Sequence, residues 1–229
     1  MSNRLIIYGD IHGCLDELIL LRKSLDIKAG DVEASVGDFL SKGAQSLRTL
    51  RFIRSHKILS VLGNHEDKIL RYLRHQEEVD KNPVVLNEDE KKIIENLNSN
   101  DINFLGGLPF FLKFGPITIL HGGILNHQKL DSLSKKDKGK LLRLRFLDKN
   151  LKFITFRDEK EDSTFWADIY DGNEGFIVYG HQNFKEVRKS PYALGVDTGC
   201  VYDNKLTAVV FNNLEIDNYS IHSVPAIKR

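Results

Sequence analysis

Seven polar side chains of this 229-residue chain have the types and placing to do chemistry together. They are Asp10 and His12 in "GDIHG", Asp38 in "GDFLSKG", Asn64 and His65 in "GNHE", His121 in "HGG" and His181 in "GHQ". Carboxylate, imidazole and amide oxygen, with no thiolate among them, suit hard or borderline divalent ions such as Mn²⁺, Fe²⁺, Zn²⁺ or Mg²⁺. Seven such groups exceed what one ion needs. A carboxylate can bridge two ions, and two ions roughly 3.5 to 4 Å apart form the clamp used for displacement at phosphorus. A pattern of four specified residues arises by chance on the order of 10⁻⁵ per position, and several occur here in order. The remaining histidines, His56, His75, His127 and His222, lie in polar context and read as ordinary surface or hydrogen-bond-satisfied residues.

Positioning these groups is the work of the elements that precede them. "RLIIYGD" reads as a short buried strand, and "CLDELILLRKSL" as a helix with Leu15, Leu18, Ile19, Leu21 and Leu25 at largely helical spacing. The alternation repeats in "VEASVGD", "AQSLRTLRFIRSH", "KILSVLG" and "HEDKILRYLRH", which argues for parallel βαβ units and an α/β class. Each chemical motif follows an apolar run and is flanked by glycine. Strand ends of an α/β sheet are where ligands bind, and glycine lets the backbone turn and approach closely there.

From about residue 76 to residue 103 the chain turns polar. "NEDEKKIIENLNSN" reads as one amphipathic helix capped near Asn87, within an insertion or lid on a single domain of residues 1–229. Beyond it, "FFLKFGPITILHGGI", "GFIVYGHQ", "ALGVDTGCVY" and "KLTAVVFN" make a strand-rich second half. The basic "LDSLSKKDKGKLLRLRFLDKN" reads as an exposed connector.

Lys and Arg number 33 against 32 Asp and Glu, so no global charge argues for nucleic acid or a membrane surface as partner. The start "MSNRLIIYGD" has neither the charge pattern of a signal peptide nor the length of a membrane span, which makes the cytoplasm the expected location. Two cysteines, Cys14 and Cys200, make no disulfide framework and read as reduced thiols.

The ordered set GDIHG, GDFLSKG, GNHE, HGG and GHQ resembles the calcineurin-like metallophosphoesterases, the superfamily of Ser/Thr protein phosphatases and symmetrical diadenosine tetraphosphate hydrolases. That resemblance implies a β-sandwich of mixed sheets flanked by helices, with the active site at strand C-terminal ends. It implies two divalent ions, Mn²⁺ favoured, with Asp10 and His12 on the first, Asp38 bridging, and Asn64, His121 and His181 on the second. A hydroxide between the ions would attack phosphorus, its formation helped because coordination lowers the pKa of water from about 15.7 to about 7. His65 would protonate the leaving oxygen.

Departures from the protein phosphatases bear on substrate. Their second motif, GDxxDRG, supplies an Asp beside the general-acid histidine and an Arg for phosphate. Here Ser41 and Lys42 stand in those places, and Leu62 replaces the Arg before GNHE. A hydroxyl can hydrogen-bond an imidazole but raises its pKa less than a carboxylate, and lysine keeps the charge without the bidentate fork. The tetraphosphate hydrolases look closer, and their C-terminal half resembles "RLRFLD", "FWADIY", "YGHQ" and "VDTGCVY" with Asp197. Phosphate-binding candidates are therefore Lys42, Asn64, Arg145 and Arg143, with Arg145 preferred. Trp166 and Tyr170 either stack on a nucleobase or belong to the core.

The substrate expected is a dinucleoside polyphosphate, hydrolysed in the symmetrical manner. The alternatives are another phosphorylated small molecule or a phosphoprotein, with nucleic acid expected only as an RNA-end phosphate. A non-catalytic scaffold of the same fold is a remote alternative, because His65 and all six metal-ligand positions are filled.

Overall fold

The computed structural model describes residues 4–78, 81–155 and 158–228. Its strands are β1 (Arg4–Tyr8), β2 (Val32–Ser35), β3 (Leu59–Ser60), β4 (Phe111–Phe114), β5 (Ile117–Leu120), β6 (Phe146–Leu147), β7 (Thr164–Phe165), β8 (Phe176–Tyr179), β9 (Arg188–Ser190), β10 (Ala193–Gly195), β11 (Lys205–Asn212) and β12 (Tyr219–Pro225). The helices are α1 (Leu15–Ser24), α2 (Ser46–Ser55), α3 (Asn64–Glu78), α4 (Glu88–Glu95), α5 (Ser99–Gly106), α6 (Lys135–Leu141) and α7 (Trp166–Ile169).

Two mixed five-stranded sheets face each other, ordered β12-β11-β1-β2-β3 and β4-β5-β8-β10-β9. In the first, β1, β2 and β3 run parallel and β11 pairs antiparallel with β1. In the second, β5, β8 and β10 are parallel, with β4 and β9 antiparallel at the edges.

β1 shows why the strands read as unbroken apolar runs. Successive side chains of a strand point to opposite faces. Leu5 and Ile7 enter the layer between the sheets with Val36, Val61, Ile119, Val178 and Val209, while Ile6 and Tyr8 enter the layer under the helices with Leu18, Leu50 and Ile53. Both faces are buried, so no polar alternation is possible. A third apolar layer covers the outer face of the second sheet, built around Trp166, Tyr170, Tyr179 and Phe165.

Three sequence expectations change. The segment after residue 87 forms two helices, not one. Asn87 caps α4 through a capping box with Glu90, and Asn98 starts α5 through a second box with Asp101. Two asparagines able to accept from main-chain N–H groups three residues on offer the chain a second start, and it is used. The basic connector is not simply exposed, since Leu130, Leu141, Leu142, Leu144 and Leu147 are buried in the third layer. On α1, Ile19 faces solvent instead of the core. No helix among the described residues is long and apolar enough to cross a membrane.

Candidate active site

Every chemical motif leaves the C-terminal end of a strand. Asp10 and His12 follow β1, Asp38 follows β2, Asn64 follows β3, His121 follows β5 and His181 follows β8. The first sheet therefore supplies four of the six proposed ligands and the second supplies two. Their approach requires glycine at two places. A Cβ at Gly180 would lie 2.0 Å from the Asp10 Oδ1, and one at Gly63 would lie 2.2 Å from the Asp38 Oδ1. The carboxylates fill the space that a side chain would take.

The ligand-bearing turns are strained. His12, Asp38 and His181 have φ of 44°, 48° and 70°, as do Ser41 and Lys42 at 68° and 65°. Left-handed backbone at non-glycine residues costs of order 1–3 kcal/mol each and persists only where neighbours hold it. The Asp38 carbonyl accepts from the N–H groups of Ile11 and His12, and Phe39 O accepts from Gly13. The Glu66 carboxylate, fully buried, accepts from the N–H groups of Asp38, Leu40 and Gly63 at 2.9, 2.9 and 3.1 Å. Glu66 thus ties the β2 turn to the start of α3. Sequence reasoning assigned it no role, although it is the last residue of "GNHE".

Asp38 sits at the centre. Its Oδ2 lies 3.7 Å from His12 Nε2, 3.9 Å from His65 Nε2 and 3.3 Å from His121 Nε2, and its Oδ1 accepts from the His65 N–H. Asp38 and two histidines recur in two overlapping groups whose ligand atoms lie within 4.8 Å, one with His12 and His65 and the other with His121 and His181. Asp10 Oδ2 is 3.8 Å from His12 Nε2 and both its oxygens lie 3.2 Å from the His181 N–H.

The imidazoles are oriented from behind. His12 Nδ1 lies 3.0 Å from Leu40 O and His121 Nδ1 lies 2.8 Å from Val36 O. Donation from Nδ1 to a carbonyl leaves the Nε2 lone pair pointing to the centre, the usual support of a metal-binding histidine. The donor set fits cations on three counts. His121 Nε2 faces the Asn64 Oδ1 at 3.0 Å, an encounter of two acceptors unless a proton or a metal ion lies between them. His181 Nε2 is buried with no hydrogen-bond partner. Asp10, Asp38 and Asp197 are all buried, and crowding of like charges must be offset.

The titration shifts express that crowding. Burial, then Asp197 and Asp38, push Asp10 well above the carboxylate range. Burial also pushes Asp38 up, but the imidazoles of His121, His65 and His12 overcome it and hold Asp38 well below. Burial and Asp38 raise Glu66 to about 8 against the pull of its main-chain donors. Burial depresses His12 to about 3, depresses His65, and depresses His181 well below the imidazole value. His121 is raised, since Asp38 and the Val36 carbonyl outweigh its burial.

Lys42 reaches inward, its Nζ 2.8 Å from His12 Nε2, and supplies the one lone pair there with a cation. A metal ion on that nitrogen and the Lys42 ammonium exclude each other. Arg145 is drawn toward the same centre: burial lowers its pKa, while Glu159, Asp38, Asp10 and Asp197 pull it back up, and its Nη2 donates to His181 O. Arg143 turns away, paired at 2.8 Å with Asp67 on α3 and donating to Gly139 O. Ser41 Oγ and His65 Nδ1 are both buried without hydrogen-bond partners, so the hydroxyl does not take up the histidine. Leu62 packs against the third apolar layer.

Trp166 and Tyr170 are 1% and 3% exposed, which settles them as core. Asp197, seen in sequence only through resemblance, follows β10 and accepts from the Gly199 N–H at 2.9 Å; burial raises it to about 6. His56, His127 and His222 are exposed, as their context implied, whereas His75 is half-buried with its Nδ1 buried and without a hydrogen-bond partner.

Residues 3–211 match the calcineurin-like phosphoesterase family. The chain is 29% identical to the bis(5'-nucleosyl)-tetraphosphatase PrpE of Oceanobacillus iheyensis, designated asymmetrical, over 91% of this chain and 89% of that one. It is 24% identical to the symmetrical bis(5'-nucleosyl)-tetraphosphatase of Vibrio vulnificus, over 94% and 97% of the two chains. The fold superposes with a TM-score of 0.81 on the crystal structure of a candidate diadenosine tetraphosphatase, at 24% identity and covering 100% and 96% of the two chains. The match extends over most of the chain and takes in all the strand-end motifs, so the protein belongs to the calcineurin-like phosphoesterases and is a divalent-metal-dependent hydrolase of phosphate esters or anhydrides.

Proposed function

We propose that this hydrolase cleaves a dinucleoside tetraphosphate at a two-metal centre held by Asp10, His12, Asp38, Asn64, His121 and His181. The observation that carries the proposal is the convergence of these groups around Asp38, with cation-ready Nε2 atoms facing inward. Manganese is the ion the family resemblance favours, and the oxygen and imidazole donors suit it as they suit Fe²⁺, Zn²⁺ or Mg²⁺. Bound ions would supply Lewis-acid charge and an acidified water.

The chain's own residues do the rest. Asp38 holds the two halves of the centre together. His65, whose Nε2 faces Asp38, gives its proton to the leaving oxygen. Arg145, with Lys42 once a metal ion on His12 has displaced its ammonium, neutralises the phosphates outside the ions, and Asn64 doubles as a phosphate contact. Arg143 serves the site by fixing Asp67 on α3, the helix that begins with Asn64 and His65. The polar insertion at about 76–103 belongs to the same domain as the rest of residues 1–229 in this reading, and the enzyme works in the cytoplasm.

A dinucleoside polyphosphate is favoured over a phosphoprotein by the relatives' names and by Leu62 and Lys42, which stand where the protein phosphatases carry arginines. The two names differ over where the cut falls. The higher identity to the PrpE protein favours the asymmetrical cut over the symmetrical one. Chromatography of diadenosine tetraphosphate incubated with enzyme and Mn²⁺ tests the proposal. ATP plus AMP marks the asymmetrical cut and two ADP the symmetrical one. No release of either pair, with turnover of phosphopeptides, would transfer the chain to the phosphoprotein reading.

A further inference from the structure

With Trp166 and Tyr170 buried, Tyr202 is an aromatic among the described residues that faces solvent beside the centre. The residue is 56% exposed, and its ring centroid lies 5.2 Å from the Lys42 Nζ, the same ammonium that touches His12. Tyr202 also lines a cleft of about 530 Å³ with Asn183, Phe184, Gly199 and Asn204. Both walls of this cleft continue site loops: Asn183 is two residues beyond His181, and Gly199 two beyond Asp197.

The main chain that carries the ring is held in a defined turn. Tyr202 ends a 3₁₀ turn between Gly199 and Asp203, both in left-handed backbone, and its N–H donates to Gly199 O. Asn204 closes the turn from outside, its side-chain amide donating to Thr198 O at 2.7 Å and Lys185 O at 3.0 Å. A pre-positioned ring binds a planar partner without first losing freedom. At Gly199 a Cβ would approach the Asn183 side-chain amide to 3.4 Å, so the glycine leaves that amide clear.

We propose that Tyr202 is the stacking platform for a nucleobase of the substrate, and that the cleft beside it takes the nucleoside while Lys42 holds the phosphates leading back to the metals. The proposal rests on the dinucleoside polyphosphate reading above and adds the residues that recognise the nucleoside. Another cavity of about 380 Å³ also begins at Lys42, between α2 and α4, but no aromatic ring lines it. Stacking on an aromatic tolerates any base, so discrimination between nucleosides would fall to the Asn183 amide.

Calorimetry on the Mn²⁺-loaded protein tests this with α,β-methylene adenosine diphosphate and methylenediphosphonate, which resist hydrolysis and differ by the nucleoside. The wild type should bind the nucleotide at least about tenfold more tightly than the diphosphonate. Tyr202→Ala should lose that preference while its affinity for the diphosphonate stays within about twofold, and Tyr202→Phe should keep the preference. An unchanged melting curve for Tyr202→Ala would show that the fold is intact. Equal affinity of the wild type for both ligands, or a preference that survives in Tyr202→Ala, would overturn the platform. If diadenosine tetraphosphate went uncut while the nucleotide preference and its loss in Tyr202→Ala held, the substrate reading would fail and the platform would stand.

Discussion

Glu66 touches none of the proposed metal-ligand side chains in a direct hydrogen bond, yet the position of Asp38 depends on it. Three main-chain N–H groups, all buried, converge on its two oxygens. Each would be left unsatisfied by truncation, at about 1–3 kcal/mol apiece. Glu66→Ala should therefore destabilise the protein by at least about 3 kcal/mol in urea unfolding. Glu66→Gln, which keeps the shape but presents an amide donor to other donors, should recover only part of that. A cost below about 1 kcal/mol for Glu66→Ala would show that the β2 turn holds itself. Asp38→Asn makes the complementary test at the centre. It removes the charge that three imidazoles share, so metal analysis after gel filtration should find fewer ions per chain than in the wild type, with activity down at least about 100-fold. Full metal content with most activity retained would contradict the bridging role. Asp38 was legible in the sequence because a motif marks it, whereas Glu66 was not, since a glutamate following "GNH" reads equally well as the solvated first turn of a helix.

Among the elements, α4 and α5 depart most from expectation. Read by composition they form a polar insertion or lid. In space Ile93 and Leu105 are buried in the layer that also holds Phe39, Leu40, Leu50 and Ile53. Polar residues anchor the pair as well: Lys68 of α3 binds Glu90, and Arg51 and Arg54 of α2 both bind Asp101. We propose that the segment is a fixed part of the domain at α4 and α5. The helix count was misread because periodicity carries on across Asn96–Asn98, and only the capping hydrogen bonds distinguish a break from a continuous helix. Asp101 is the joint of this arrangement. Burial pushes its pKa up, but hydrogen bonds from Arg51 and the Asn98 N–H, with the charges of both arginines, more than reverse the effect and leave it below the usual value. A carboxylate depressed in the folded state adds stability above its unfolded pKa of about 3.9 and loses it as pH falls through the folded value. Asp101→Asn should accordingly cost about 2 kcal/mol at pH 7, a figure kept low because both arginines reach solvent. The gap between variant and wild type should narrow below about pH 4. A constant gap in urea midpoints from pH 7 to pH 3 would remove the electrostatic explanation.

At the scale of the molecule, the strand order was only partly readable, because short runs such as β3 and β9 carry no signal of which sheet they join. The convergence of the motifs was readable, because each sits at a strand end and parallel strands end on one side. What sequence alone could not give is that the centre joins two sheets. Asp10, His12, Asp38 and Asn64 come from the first, His121, His181 and Asp197 from the second, and the polar contacts that cross between them include His121 to Val36 O, the His181 N–H to Asp10 and Thr198 Oγ1 to Thr207 Oγ1. On the proposed ligand set, ions held from both sheets would bind the closed sandwich and not the unfolded chain, and so stabilise it by mass action, about 2.7 kcal/mol at a concentration 100 times the dissociation constant. Relief of repulsion among the buried carboxylates acts in the same direction. Excess chelator should therefore lower the melting temperature by several degrees, on the order of 2–4 °C per kcal/mol for a chain of this size. Restoring Mn²⁺ should reverse the shift in a concentration-dependent way. The comparison that locates the effect is His181→Ala against His222→Ala: the former removes a proposed ligand contributed by the second sheet and should shrink the Mn²⁺-dependent shift, while the latter alters an exposed histidine on β12 and should leave it whole. Equal shifts in both variants would mean that the ions do not tie the two sheets together.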